Sequence, residues 1–484
     1  MGRALAELAS AELDTRPGTA MRLVQLLLAL LVGAAAVVSG LSLAAGNKML
    51  VVLPLVAVVG VALAVLACTR FSGFVLLLLG VRSSVDVLDF SPGTAAGSDG
   101  GGLNPSALLV ILFLLAATLW LAARYYSGTY IKASPLSMWL IAFWLAGVVS
   151  LLSSRNILAG VTGSLRILGV VMMFVLLEQL IVDRKTMVRV LYAAFASMLI
   201  PLGYTLFGLA TGTAATEDKA GFDRLLGTFN QSNAYARYLT FMVVFGVAIY
   251  PHLKGGSKVA MRVLLLLGTA FLLQTLTLTC IIAAIVGLIV IGVVARRGSL
   301  LAGFVVVAVL AAFAVPGLAA RFDILQTSDP TGAASGNTLL WRFNYWAEVL
   351  PLANRNPVTG IGLGSTSFET EAEKQPHNDF LRAYVETGLV GLFLYIGVLA
   401  SLVATSRRAV RRAVRGTFDH AVATGALACA VLVIVESLAS NVITNSVAMW
   451  YLVAFVAAAG YVARAKPDAS EPADPDTASV AHRP

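Results

Sequence analysis

Charge is scarce in this chain. Asp, Glu, Lys and Arg together make up 12% of its 484 residues, where soluble domains carry roughly 25%. That deficit excludes an ordinary soluble globular protein. Cysteine is scarcer still. Cys68, Cys280 and Cys429 are the only three, and each lies in an apolar stretch, which excludes a disulfide framework and a thiolate metal site. The sequence also lacks an obvious internal repeat, a point against transporters built from inverted repeats. The excess of basic over acidic residues is modest, with a net charge of +9. Most of those bases sit in short loops beside apolar segments, so they read as topology signals and not as a nucleic-acid surface.

What the chain has in abundance is apolar length. Hydrophobic residues make up 58% of it, and its mean hydropathy is +0.87. The expected fold is all-α: a polytopic transmembrane helical bundle of about 12–14 membrane segments, with a large extracytoplasmic loop carrying short helices. The expected spans are Met21–Ala44, Met49–Ala67, the short Phe71–Val81, Ser106–Ala123, Ser137–Ser153, Ile157–Val182, Met187–Ala210, Ser232–Tyr250, Met261–Leu276, Thr279–Val294, Leu300–Ala319, Phe380–Val403, His420–Ala439 and Val442–Val462. Met21–Ala44 is too long and too uniformly apolar for a signal-peptide core and reads as an uncleaved first span. Residues 1–20 form a cytoplasmic tail, and residues 465–484 a second one, disordered by its Pro, Asp and Ala content. Residues 21–319 hold the first helices, with outer loops 82–105 and 211–231. Residues 320–379 form the large extracytoplasmic loop, and residues 380–464 hold the last helices. Lys and Arg collect at one set of loop ends: Arg184-Lys185, Lys254 to Arg262, Arg296-Arg297 and Arg407 to Arg415. The positive-inside rule puts those ends in the cytoplasm.

Three outward-facing stretches hold polar groups suited to chemistry. The first runs from Phe222 to Asn233, with Arg224 ahead of a helix start. Ser232 or Asn233 is expected to cap that helix, and such a terminus favours anions. A guanidinium beside it suits phosphate oxygens bidentately; its plainer role is snorkelling to lipid phosphate. The second is the pattern Leu339, Leu340, Phe343, Trp346, Leu350, which predicts a short amphipathic helix on the outer membrane surface. It carries Trp341, Arg342 and Trp346, and reads either as an interfacial anchor or as a lid over a lipid-linked substrate. The third runs from Asn356-Pro357 through Gly360, Gly362 and Gly364 to His377-Asn378-Asp379, then into an apolar helix with Gly388 and Gly391 on one face. The glycines suit left-handed turns or close backbone approach. Asn378 or Asp379 can cap the helix. His377 is the imidazole placed to take a proton near neutral pH, or a bystander of the loop. Within the spans, Arg166 and Glu436 are costly in lipid. They read either as functional groups or as a structural ion pair, with Glu436 the partner of Arg166 or of another base. Glu369, Glu371 and Glu373 alternate and could bind a cation; their plainer reading is a solvated run. No metal site and no cofactor are expected.

These stretches, in this order, resemble the O-antigen ligase and polymerase superfamily over roughly Trp139 to Trp450. The resemblance is carried by Arg224-Leu225-Leu226-Gly227-Thr228-Phe229-Asn230 with Asn233, by Arg342 with Trp346, and by Asn356-Pro357 with Gly360, Gly362 and Gly364. His377-Asn378 followed by Gly388 and Gly391 completes it. The resemblance implies a membrane glycosyltransferase of the cytoplasmic membrane, O-antigen ligase-like, with its site on the outer face. It implies a glycan donor linked to an undecaprenyl diphosphate carrier and a glycan or glycolipid acceptor. It gives His377 the acceptor hydroxyl, Arg224 and Arg342 the diphosphate, and a metal-independent, inverting transfer. Asn233, Asn378, Arg166 and Glu436 stand as supporting residues. One position departs from the family pattern: where a mid-chain helix often shows Thr-x-Ser-Arg, this chain has Thr277-Leu278-Thr279-Cys280. A thiol cannot supply that cation, so Arg82, Arg155, Arg166 or Arg342 is left to do so. A polymerase of the same superfamily would use the same donor-side parts. A solute transporter would instead depend on Arg166 and Glu436 and tolerate His377→Ala.

Overall fold

The computed structural model describes residues 48–88, 105–218, 221–296 and 338–465. The expected spans Met21–Ala44 and Leu300–Ala319, both tails and the start of the large loop lie outside the described residues. The described residues are helical almost throughout. Ten helical stretches among the described residues are long and apolar enough to cross a membrane, which makes this an all-α polytopic membrane protein.

The chain divides into two compact units. The first holds α1 (Lys48–Thr69), most of α2 (Phe71–Val81) and most of α3 (Pro105–Tyr126). Aromatic contacts join α2 and α3. Phe71 stacks on Trp120 with ring centroids 4.7 Å apart, and the Arg124 guanidinium lies 4.8 Å from the same indole.

The second unit holds the rest: α4 (Pro135–Ser150), α5 (Ile157–Leu180), α6 (Arg184–Ala196), α7 (Leu199–Thr211), α8 (Ser232–Ile249), α9 (Gly255–Gln274), α10 (Leu278–Ala295), α11 (Thr338–Val349), α12 (Asp379–Arg412), α13 (Phe418–Ser437) and α14 (Ser446–Arg464). Short polar side chains start these helices by binding the first backbone N–H groups. Ser134, Asn156, Asp183, Thr417 and Asn445 do so for α4, α5, α6, α13 and α14. α14 is apolar on every side and is buried on every side, as such a helix must be. It packs against α5, α6, α8, α12 and α13, and Trp450 and Tyr451 are fully enclosed.

Because the helices alternate in direction, their connections collect at two ends. One end gathers residues 151–156, 212–231, 275–277, 338–378 and 438–445. The other gathers the turns around 181–183, 250–254 and 413–417 and the end of α14. There, Arg184 pairs with Asp419 at 3.3 Å and Arg464 with Glu178 at 3.5 Å.

The structure refines three expectations of the fold. The span expected over Met187–Ala210 is present as Arg184–Thr211, but it is built of two helices that meet at Ser197-Met198. Pro201 has no N–H to offer the Ser197 carbonyl one turn back, and the Ser83 hydroxyl donates to that carbonyl instead, at 2.8 Å. The span expected from Val442 starts at Ser446, because residues 438–445 form a polar turn. Loop 211–231 contains a small antiparallel hairpin, β1 (Thr216–Asp218) with β2 (Asp223–Leu225), in which Glu217 faces Arg224.

Candidate functional site

The site end is organised by a break in α12. This helix is 34 residues long, about 51 Å at 1.5 Å per residue, against a hydrocarbon core of about 30 Å. Gly388 interrupts it with φ 69° and ψ −170°. An unbroken helix would bond Leu389 N–H to the Val385 carbonyl and Val390 N–H to the Glu386 carbonyl. The loop before the helix takes over all four groups. Leu389 N–H donates to Pro357 O at 2.9 Å and Val390 N–H to Val358 O at 3.4 Å, while Ile361 N–H donates to Val385 O at 3.0 Å and Gly362 N–H to Glu386 O at 3.1 Å. Backbone groups at membrane depth have no water to fall back on, so this exchange is what permits the break.

Gly360, Gly362 and Gly364 all have positive φ, at 77°, 108° and 74°. At Gly360 the requirement is double, since a Cβ there would also strike the Glu386 carbonyl. Gly388 therefore marks a docking seam against Val358, while Gly391 sits against the Thr387 side chain of its own helix. The Glu386 carboxylate closes the seam. It accepts from Gly364 N–H at 2.8 Å, the Thr366 hydroxyl at 2.9 Å and Arg382 Nε at 2.9 Å. Arg382 reaches on to the Thr444 hydroxyl at 2.9 Å.

His377 stands at the head of this half-helix with a left-handed backbone, φ 52°. Such a conformation in a non-glycine residue persists only where its surroundings fix it. Here the following residue, Asn378, caps α12 by accepting from Phe380 and Leu381 N–H at 3.0 and 3.1 Å. The preceding carbonyl, of Pro376, accepts from Trp346 Nε1 at 2.6 Å. The imidazole meets Trp341 edge-on at 6.1 Å between ring centroids. Its Nδ1 lies 3.3 Å from Asn441 Nδ2.

α11 carries both tryptophans, and its buried stripe is Trp341, Tyr345 and Val349. Phe343 and Leu350, expected with Trp346 on the apolar face, are exposed. The helix is thus apolar on two sides, one against the protein and one outward. Burial pushes the Tyr345 phenol up from its ordinary range. Its hydroxyl meets Thr370 and the Lys374 carbonyl.

Arg224 belongs to a second group at the same end. β2 delivers its side chain inward, where it is buried. Nε donates to the Thr275 carbonyl at 2.7 Å, and Nη2 donates to the Thr277 hydroxyl at 2.7 Å and to Asn233 Oδ1 at 3.1 Å. Neither Ser232 nor Asn233 caps α8. Asn233 is engaged by Arg224, and Ser232 donates to Glu217 at 2.5 Å; Gln231 holds the capping position without a side-chain bond.

One helical turn past Thr277 lies Cys280, with its thiol against the Glu436 carboxyl. Glu436 pairs with Arg237 at 3.0 Å, and both side chains are almost wholly buried. Its partner is therefore the other base that the sequence left open. Arg237 also donates to the Ser440 hydroxyl, one residue before Asn441. A chain of contacts thus runs from Arg224 through α10 and the Arg237–Glu436 pair to His377.

The remaining expected residues fall around these groups. Arg342 is half-buried on α11 and Arg166 half-buried on α5. Glu369 is not a solvated acid: it bridges Arg155 at 3.3 Å and Arg355 at 2.6 Å. Among the described residues no cluster of His, Cys, Asp or Glu could hold a metal ion. Sequence reasoning missed Arg237, Arg382, Glu386 and Asn441, and took Asp379 only as a possible cap. Asp379 is instead a buried anchor whose Oδ2 accepts from Val442 and Ile443 N–H at 2.9 and 3.1 Å and from the Tyr395 hydroxyl at 3.2 Å. Charges within a span rarely face lipid, and that signal was available for Arg237 as it was for Arg166.

The arrangement defines a multi-pass helical membrane protein with a histidine and buried cations at one end of the bundle. Residues 263–396 match the family model described as O-antigen ligase. The match takes in Arg342, the glycine loop, His377, Asn378 and the Gly388 break, and it supports the O-antigen ligase superfamily and a glycosyltransferase-type enzyme at family level. No curated protein matches the chain.

Proposed function

We infer that the protein moves a glycan from a polyprenyl-diphosphate carrier to an acceptor hydroxyl at the outer face of the cytoplasmic membrane. The observation that carries this reading is the placement of His377: inside the matched segment, in a strained and fully braced backbone, at the head of a broken helix. The basic end of the bundle supports an orientation in which His377 faces outward. In this reading the acceptor oxygen attacks the anomeric carbon from the face opposite the leaving group. The bond to the carrier breaks with its electrons on the diphosphate, and His377 takes the hydroxyl proton. Arg342 and Arg224 supply positive charge for a leaving group whose negative charge grows in the transition state. Arg224 acts from a fixed position, since Thr275, Thr277 and Asn233 already orient its guanidinium. The exposed face of α11 suits a lipid-embedded carrier.

The test is the saccharide pattern of a strain lacking the protein, complemented with the native chain or with His377→Ala. Long chains left on the carrier lipid in the null strain identify a ligase, and single repeats on the final acceptor identify a polymerase. His377→Ala is expected to lower transfer by about 100-fold or more. A native ladder from His377→Ala would sink the reading and favour transport.

A further inference from the structure

The geometry points to Asn441 as the positioning residue that sets the tautomer of His377, and the inference rests on the transferase reading above. A neutral imidazole carries one proton on two nitrogens, and the partner of one nitrogen decides what the other can do. The amide nitrogen of Asn441 faces His377 Nδ1 at 3.3 Å. Were that amide N–H to donate, the ring proton would sit on Nε2, and Nε2 could accept nothing. In the same arrangement Asn441 Oδ1 is buried with no hydrogen-bond partner, a costly state for a carbonyl. A half-turn of the terminal amide, which exchanges two groups of equal size, brings Oδ1 to the ring nitrogen. Oδ1 then accepts from Nδ1–H, and Nε2 keeps a lone pair for the acceptor proton. In the transfer the acceptor oxygen forms the new bond to the anomeric carbon, the carrier diphosphate leaves with the electron pair, and the acceptor proton moves to Nε2 while Nδ1–H stays on Asn441.

The rest of the turn is built to hold this one residue still. Ser440, on one side, accepts from Arg237, which Glu436 holds at 3.0 Å. Val442 and Ile443, on the other side, donate their N–H groups to Asp379. Asp379 itself lies two residues after His377. Two buried carboxylates thus fix the residues flanking Asn441, and one of them is tied to the helix that His377 precedes. The role explains why a short turn between two spans is anchored by charged groups, which are expensive to bury.

The test has two arms on the full chain in lipid nanodiscs. In the first, histidine is labelled with nitrogen-15, and the signal of His377 among the four histidines is the one lost in His377→Gln. The neutral ring is expected to carry its proton on Nδ1. In the second, turnover is measured against pH, with carrier-linked glycans extracted from the null strain as donor. Asn441→Leu keeps the size and removes the acceptor. It is expected to lose the Nδ1 tautomer and to lower kcat by about 10- to 100-fold with KM for the donor unchanged. Asn441→Asp can only accept. It is expected to keep the tautomer and most of the turnover, and its charge should move the acidic limb of the pH profile upward. A neutral His377 protonated on Nε2, or Asn441→Leu with native tautomer and native turnover, overturns the inference. If His377→Gln transfers glycan at the native rate, His377 is not the base and the inference is overturned; if the native chain itself transfers no glycan, the transferase reading fails by itself, while the tautomer is still read by the first arm.

Discussion

The two ends of the bundle use charge in opposite ways. At the basic end the bridges keep their arginines accessible: Arg184 and Arg464 are each 41% accessible, against 21% for Asp419 and 2% for Glu178. Such pairs contribute roughly 0–1 kcal/mol, so their purpose is orientation and solubility more than cohesion. At the site end, beside the exposed bridges from Arg155 and Arg355 to Glu369, two pairs are enclosed: Arg237 and Glu436 are 4% and 0% accessible, Arg382 and Glu386 5% and 1%. Arg237, Arg382 and Glu386 also bond a loop, through Ser440, Thr444, and Thr366 and Gly364 N–H respectively. Where a membrane protein needs only to know which way up it is, mobile surface charge is enough. Where loops are held against helices, it buries charge in pairs.

The comparison breaks most completely at Gly388. Gly388→Val forces a β-branched residue to φ 69° against the Val358 carbonyl, and the seam opens. Strain and overpacking together are expected to cost roughly 3–5 kcal/mol. A fall in the thermal midpoint of the purified protein, with complete loss of transfer, checks this; a native midpoint would show that the docked loop is dispensable. Next comes the buried pair. Arg237→Met alone leaves Glu436 uncompensated and is expected to cost about 3–5 kcal/mol, while Arg237→Met with Glu436→Leu recovers most of that loss. Denaturation of the two single variants and the double variant measures the coupling, and additive losses would argue that the pair is not an interacting unit.

The smallest effect belongs to the basic end. Asp183 caps α6, and hydrogen bonds from Thr186 hold its carboxyl below its ordinary range. A depressed carboxylate stabilises the fold above its unfolded pKa, about 3.9, and loses that contribution as pH falls through the folded value. Asp183→Asn, which caps equally well, should leave the midpoint nearly unchanged at neutral pH and flatten its decline in acid. An unchanged acid slope would show that the cap does not titrate.

Much of this arrangement was legible from composition. Hydropathy located the helices because the bilayer demands long apolar runs, and Asn378 was readable as a cap because it is a short polar side chain at the head of one. The break in α12 was not legible. Glycine is common in transmembrane helices, and the sign of its φ leaves no trace in an apolar context. The Arg237–Glu436 pair was half legible: either charge in a span announces an enclosed partner, but nothing local says which of several spans supplies it. Asn441 was hidden more deeply, since an amide in a short turn between two apolar runs is ordinary in itself. Only the coming together of residues 64 positions apart gives it meaning.

The exchange of hydrogen bonds at Gly388 also fixes the order in which the molecule can be finished. The ribosome delivers loop 356–364 before the half-helix that receives it, and Arg382 waits a further 62 residues for Thr444. The nascent half-helix carries Asp379, Arg382 and Glu386 with no complete set of partners, so it is a poor candidate for insertion on its own. It settles only when α13 and the turn after it have been made. Synthesis halted before α13 leaves His377, Asp379 and Arg382 without Asn441, Val442 and Thr444. Among the described residues the last turn between helices to be translated, 438–445, is the one that reaches His377.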